Sequence, residues 1–142
     1  MDETEANEQV TIAVNAMIER ALTLTTDEIA FSVMLSRISR ELRRSYGVAG
    51  AQSFLFDFVG SLSSRQSEGE VVVPSADYRM GVDERAIWLM MHVIIQHARR
   101  MLAEDQMFTI MLRGIASKMG DAARPILLGV AETMAEAAQR DA

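Results

Sequence analysis

Apolar residues recur along most of the chain at the three- and four-residue spacing of an amphipathic helix. The first stripe of this kind consists of Val10, Val14, Met17, Ile18, Ala21 and Leu22. It predicts a helix over about 5–22, and a second stripe, Phe31, Leu35, Ile38 and Leu42, predicts a helix from Asp27 to about Ser45. Thr25 precedes Glu28 by the spacing of a capping box, and Gly47 fits a left-handed C-terminal cap.

The segment 48–62 fits two patterns. A helical stripe is formed by Ala51, Leu55, Phe58, Val59 and Leu62, whereas the phenylalanines at 54, 56 and 58 alternate at strand spacing. The length of the segment and its alanine-rich start favour a third helix, and a short strand stays open as an alternative.

The segment 63–82 lacks a helical stripe and combines Ser, Gly and Pro with mixed charge, which predicts a long irregular loop. Inside it, three consecutive valines at 71–73 predict an extended segment. These valines either pack on the helical core or offer an edge to a partner strand.

The stretch 86–95 is apolar on nearly every side and is broken only by His92. Such a helix is typical of the centre of a bundle or of a subunit interface. A heptad-like rhythm continues from it to Met119. Either one long helix spans this region or the chain breaks near 103–105, with Asp105 capping the second helix. The break is favoured, because one helix of that length would overhang a compact domain.

Three residues mark further helix ends. Asp83 is predicted to cap the helix that contains 86–95, Gly120 ends the following segment, and Pro125 suits the first turn of a last helix that continues to about Ala138. Together the patterns predict an all-α fold, a compact bundle of five or six helices in a single domain over 1–142, with one long loop at about 63–82.

Composition narrows the class of protein. The chain has 142 residues, 49% of them hydrophobic, so a core can form without disulfides, and the absence of cysteine excludes thiol chemistry. Acidic residues near the start oppose a secretory signal, and no apolar run reaches the ~18 residues that span a membrane. We therefore expect a cytoplasmic protein without membrane association. The net charge of −6 argues against broad contact with nucleic acid.

Residue types that carry catalysis are sparse. The two histidines, His92 and His97, are five positions apart and would point roughly 140° away from each other on a helix, so they do not form a helical metal pair. His92 is predicted to be a hydrogen-bonded residue inside a packed helix, and His97 to lie on the surface. No nucleophile elbow or phosphate-binding glycine loop is present. We expect neither catalysis, nor a metal, nor a cofactor.

A basic stripe lies on the second predicted helix. Arg37, Arg40 and Arg44 fall within about 60° of one another on the helical wheel, and Glu41 is placed to pair with Arg37 or Arg44. One interpretation is a solvated, salt-bridged face. The other is an anchor for a partner that carries carboxylates or phosphates, because arginine presents a rigid fork of donors.

These observations predict a non-enzymatic protein–protein interaction module: a small acidic regulator, inhibitor or adaptor that binds a protein partner and associates with itself. The homodimer interface is predicted to contain Ile87, Met91, Ile94, Leu127, Val130 and Met134. The alternative is a helical sensor that binds an apolar small molecule in a pocket formed by Trp88, Met91, His92 and Gln96.

Overall fold

The computed structural model describes residues 2–62 and 82–141, and this part of the chain is helical without a strand. The helices are α1 (Glu3–Leu24), α2 (Asp27–Ser61), α3 (Val82–Met101), α4 (Glu104–Met119), α5 (Ala123–Glu132) and α6 (Met134–Asp141), with a 3-10 turn at Gly120–Ala122. The all-α prediction is therefore confirmed. The predicted loop at 63–82 and its valines lie outside the described residues, except that Val82 already belongs to α3.

The helix starts differ from the predicted caps by one or two residues. Thr26, not Thr25, caps α2: its hydroxyl accepts a hydrogen bond from the Ile29 amide at 3.4 Å. Asp83 lies inside the first turn of α3 instead of before it, and Asp105 likewise lies in the first turn of α4, after Ala103 as the capping residue. Both aspartates still complement the positive end of the helix dipole.

Gly47 interrupts the helical backbone of α2 and produces a kink there. Its φ of 76° and ψ of 173° are not helical, yet helix continues on both sides. The half before Gly47 packs on α3, whereas in the half after it the Gln52 side-chain amide donates to the Ala131 carbonyl of α5 at 2.9 Å. The predicted third helix over 48–62 is thus confirmed as the second half of α2, and the strand alternative is wrong.

The chain breaks between α3 and α4 at Leu102 and Ala103, as the favoured interpretation predicted, and the single long helix is wrong. Gly120 ends α4 with a φ of 64°. The predicted last helix is divided into α5 and α6 at Thr133, and Pro125 lies in the first turn of α5.

Helices α1 and α4 run in the same direction. Glu3 contacts Gln106 near one end of the pair, and Glu19 forms an ion pair with Lys118 at 3.5 Å near the other. Gly114 permits their close approach, because a Cβ there would lie 2.9 Å from the Cδ1 atom of Ile18. One core of buried residues extends through α1 to α6.

Candidate functional site

A buried carboxylate joins α2 to α3. Glu41 is only 3% exposed. Its Oε1 lies 3.2 Å from Nη2 of Arg37, on its own helix, and its Oε2 lies 3.0 Å from Nη2 of Arg99, on α3. Arg44 approaches the same carboxylate at 3.9 Å, and the Arg99 Nε lies 3.3 Å from Glu104. One carboxylate is therefore shared by three guanidinium groups.

Arg37 lies in the contact between the two helices and is only 8% exposed. Its Nη2 donates a hydrogen bond to Nδ1 of His92 at 3.1 Å, and its guanidinium carbon lies 4.8 Å from the centre of the Trp88 ring. Because arginine has no acceptor atom, His92 Nδ1 is the acceptor in this contact. Burial lowers the pKa of Arg37, Glu41 raises it, and the neighbouring arginines lower it.

The outer side of this site is cationic. Arg40 and Arg44 are exposed, and the guanidinium carbon of Arg40 lies 6.0 Å from the centre of the half-buried Trp88 ring. Within the described residues, Arg40 has no carboxylate at ion-pair distance. We refer to the following residues as the arginine cluster: Arg37, Arg40, Glu41, Arg44, Trp88, His92 and Arg99.

Positive charge exceeds negative charge in the arginine cluster. Three of its four arginines contact one carboxylate inside the cluster, Glu41, and Arg99 also contacts one at its edge, Glu104. The whole chain, in contrast, has a net charge of −6. The arginine cluster is thus a positively charged region of a chain with negative net charge, and part of this region faces solvent.

The predicted basic stripe is correct in part. Glu41 was expected to pair with Arg37 or Arg44, and it forms an ion pair with each of them. The expectation of a solvated face is wrong for Arg37, because Trp88 and His92 of α3 cover it. Arg99 was not foreseen as a member, since its contact with Glu41 joins residues 58 positions apart and no local pattern encodes it.

The four residues predicted to line a pocket differ widely in burial. Met91 is fully buried, whereas His92 and Gln96 are exposed and Trp88 is half-buried. His92 forms a hydrogen bond, with Arg37, as predicted, but it is exposed and not interior; His97 is exposed as expected. Two surface depressions are lined by other residues: one of about 340 Å³ by Leu62 and residues of α4, the 3-10 turn and α5, and one of about 360 Å³ by residues of α1.

Most of the predicted dimer interface belongs to the core of the single chain. Ile87, Met91, Leu127 and Met134 are each at most 1% exposed, so their assignment to an interface is wrong. Ile94 and Val130 are partly buried against the same core. Three apolar residues outside the predicted interface are strongly exposed: the exposed fractions of Ile12, Leu89 and Val93 are 69%, 63% and 65%.

Over residues 2–62 and 82–141, no group of three or more histidine, aspartate or glutamate side chains is arranged to hold a metal ion. No helix in the same ranges is long and apolar enough to cross a bilayer. No family model matches the chain, and neither a curated protein nor a solved structure shows significant similarity to it.

Proposed function

We propose that the chain is a non-enzymatic protein–protein interaction module, a small cytoplasmic regulator, inhibitor or adaptor whose arginine cluster binds an acidic segment of a partner protein. The observation that carries this proposal is the local excess of guanidinium groups in a chain of net charge −6, with Arg40 and Arg44 facing solvent. Opposite charge attracts an acidic partner to this surface and suppresses contacts elsewhere on the acidic chain.

The buried part of the cluster supports the exposed part. Glu41 links Arg37 to Arg99, and this contact fixes α2 against α3. Arg40 and Trp88, which lie on the two different helices, are thereby kept side by side. Arginine and tryptophan are the residue types that most often dominate binding energy in protein interfaces, because each combines a flat surface with directed hydrogen bonding.

Carboxylates suit this site better than the phosphates of nucleic acid. Extended phosphate backbones need a long basic face, and the remainder of the chain is predominantly acidic. Trp88 is the chain's only tryptophan, so the site offers one indole ring and not a series of stacking platforms. A short acidic peptide segment matches a cationic surface of this size.

The first prediction tests this site by replacing its exposed arginines. Arg40→Gln/Arg44→Gln should remove capture of the partner from host cells, whereas Arg20→Gln/Arg113→Gln, which changes two exposed arginines outside the cluster, should retain it. With the purified partner, Trp88 emission should report binding to the wild type, weakened about tenfold or more in the cluster variant and by added salt.

Two outcomes would contradict the proposal. One is the same set of captured proteins with the wild type and both variants, with helical content unchanged throughout. The other is salt-sensitive binding of duplex DNA to the wild type that is lost in the cluster variant, since that would assign the surface to nucleic acid.

A further inference from the structure

Helix α3 presents a continuous exposed stripe on the side opposite the core. All five of its members are exposed and fall within about 80° around the helix: Arg85, Leu89, Val93, Gln96 and Arg100. The core-facing side of the same helix is formed by Ile87, Met91, Ile95 and Ala98. The centre of this α3 stripe is thus apolar, and an arginine stands at each end.

Helix α1 presents a stripe of the same length and the opposite charge. Its members are also all exposed and within about 80° of one another: Glu5, Glu8, Ile12, Ala16 and Glu19. At 1.5 Å per residue each stripe is about 21–23 Å long. The centre of this α1 stripe is again apolar, and acidic residues stand at both ends.

Most of the charged residues in the two stripes form no ion pair within residues 2–62 and 82–141. Glu5, Glu8, Arg85 and Arg100 form no ion pair with another described residue, and only Glu19 does so, with Lys118. Large exposed apolar residues rimmed by charge are typical of interaction surfaces. The same chain therefore carries two exposed surfaces, the α1 stripe and the α3 stripe, whose charges are complementary.

We propose that the α1 stripe of a second copy docks on the α3 stripe, so that the protein forms a homodimer. The apolar centres of the stripes meet, and the arginines of α3 face the glutamates of α1. Because α1 and α3 pack against each other within one chain, a two-fold axis can form this contact twice. This interface uses neither Arg40 nor Arg44, so it stands apart from the proposed partner site.

The second prediction is a charge-swap experiment measured by sedimentation equilibrium. The wild type should have twice the chain mass of 15.7 kDa at micromolar concentration. Glu5→Arg/Glu8→Arg/Glu19→Arg and, separately, Arg85→Glu/Arg100→Glu should each weaken self-association about tenfold or more, because like charges then face each other. The chain that carries all five substitutions should associate again, because each end of the contact regains opposite charges.

Controls separate this inference from the proposed partner site and from loss of the fold. Arg40→Gln/Arg44→Gln should leave the mass unchanged, and circular dichroism should show equal helical content for every variant. A wild type that stays monomeric at all accessible concentrations would overturn the inference. So would self-association that neither charge variant weakens, or a folded five-substitution chain that remains monomeric.

Discussion

At the scale of single residues, the Glu41 carboxylate balances buried positive charge in the contact between α2 and α3. Its carboxylate neutralises Arg37, which is nearly as buried as Glu41 itself, and also accepts a hydrogen bond from Arg99. A buried pair of this kind adds modest net stability compared with an apolar pair, but removal of one member leaves an uncompensated charge in a poorly solvated place. The guanidinium of Arg37 would be left in that position.

The third prediction concerns Glu41→Gln. We expect the free energy of unfolding to fall by about 3 kcal/mol, at the lower end of the range for broken buried pairs because Arg99 and Arg44 still reach solvent. Glu19→Gln is the matched control, since its 68% exposed carboxylate pairs with Lys118 and should contribute only about 0–1 kcal/mol. Urea denaturation measures both, and equal small losses would contradict the structural role of Glu41.

At the scale of the elements, the kink at Gly47 allows the two halves of α2 to contact different helices. Its backbone combines a φ of 76° with a ψ of 173°, a conformation that residues with a Cβ rarely adopt. The bend at this residue lets the first half of α2 contact α3 while Gln52 in the second half reaches α5. The position of the arginine cluster on α2 therefore depends on where the bend occurs.

The fourth prediction contrasts two glycines in α2. A Cβ would meet no neighbouring atom within 4 Å at Gly47 or at Gly60, but only Gly47 has a positive φ. Gly47→Ala should therefore destabilise the protein by about 1–2 kcal/mol through backbone strain. Gly60→Ala should stabilise it by about 0.5 kcal/mol, because alanine is the better helix former. Thermal unfolding that shifts in the same direction for both variants would contradict this account.

At the scale of the whole molecule, the apolar stretch of α3 divides between core and surface. Helices α1, α2 and α4 surround it closely enough to bury Ile87, Met91 and Ile95 completely. Leu89 and Val93 lie on the remaining side and stay exposed. The other helices of the same chain therefore cover the inner side of this apolar stretch. The proposed self-association involves only the exposed α3 stripe.

The fifth prediction uses two neighbouring positions of that helix. Met91→Glu should prevent cooperative folding, because an unpaired charge in the core costs several kcal/mol out of a typical total stability of about 5–15 kcal/mol. Leu89→Glu should keep the helical content and cooperative thermal unfolding of the wild type while weakening self-association. A folded Met91→Glu variant that is merely monomeric would show that Met91 belongs to an interface after all.

The sequence alone determined the helical class and most of the helix boundaries. The spacing of apolar residues repeats within each helix, and the break near 103 and the end at Gly120 depend on residues close to those points. Such signals are local, because a helix is closed by hydrogen bonds between residues four positions apart. The sequence was least accurate at the helix caps. For α2 it could not distinguish Thr25 from Thr26, because both carry the same hydroxyl group.

The tertiary structure alone decided which side of each element is covered. Arg37 and Arg40 appear equivalent along α2, yet Trp88 and His92 bury only Arg37. Met91 and Leu89 appear equivalent along an apolar stretch, yet only Met91 faces the core. Burial depends on contacts between residues far apart in the chain, such as Glu41 with Arg99. The sequence does not encode these contacts locally, because a residue has the same identity whether or not another helix packs on it.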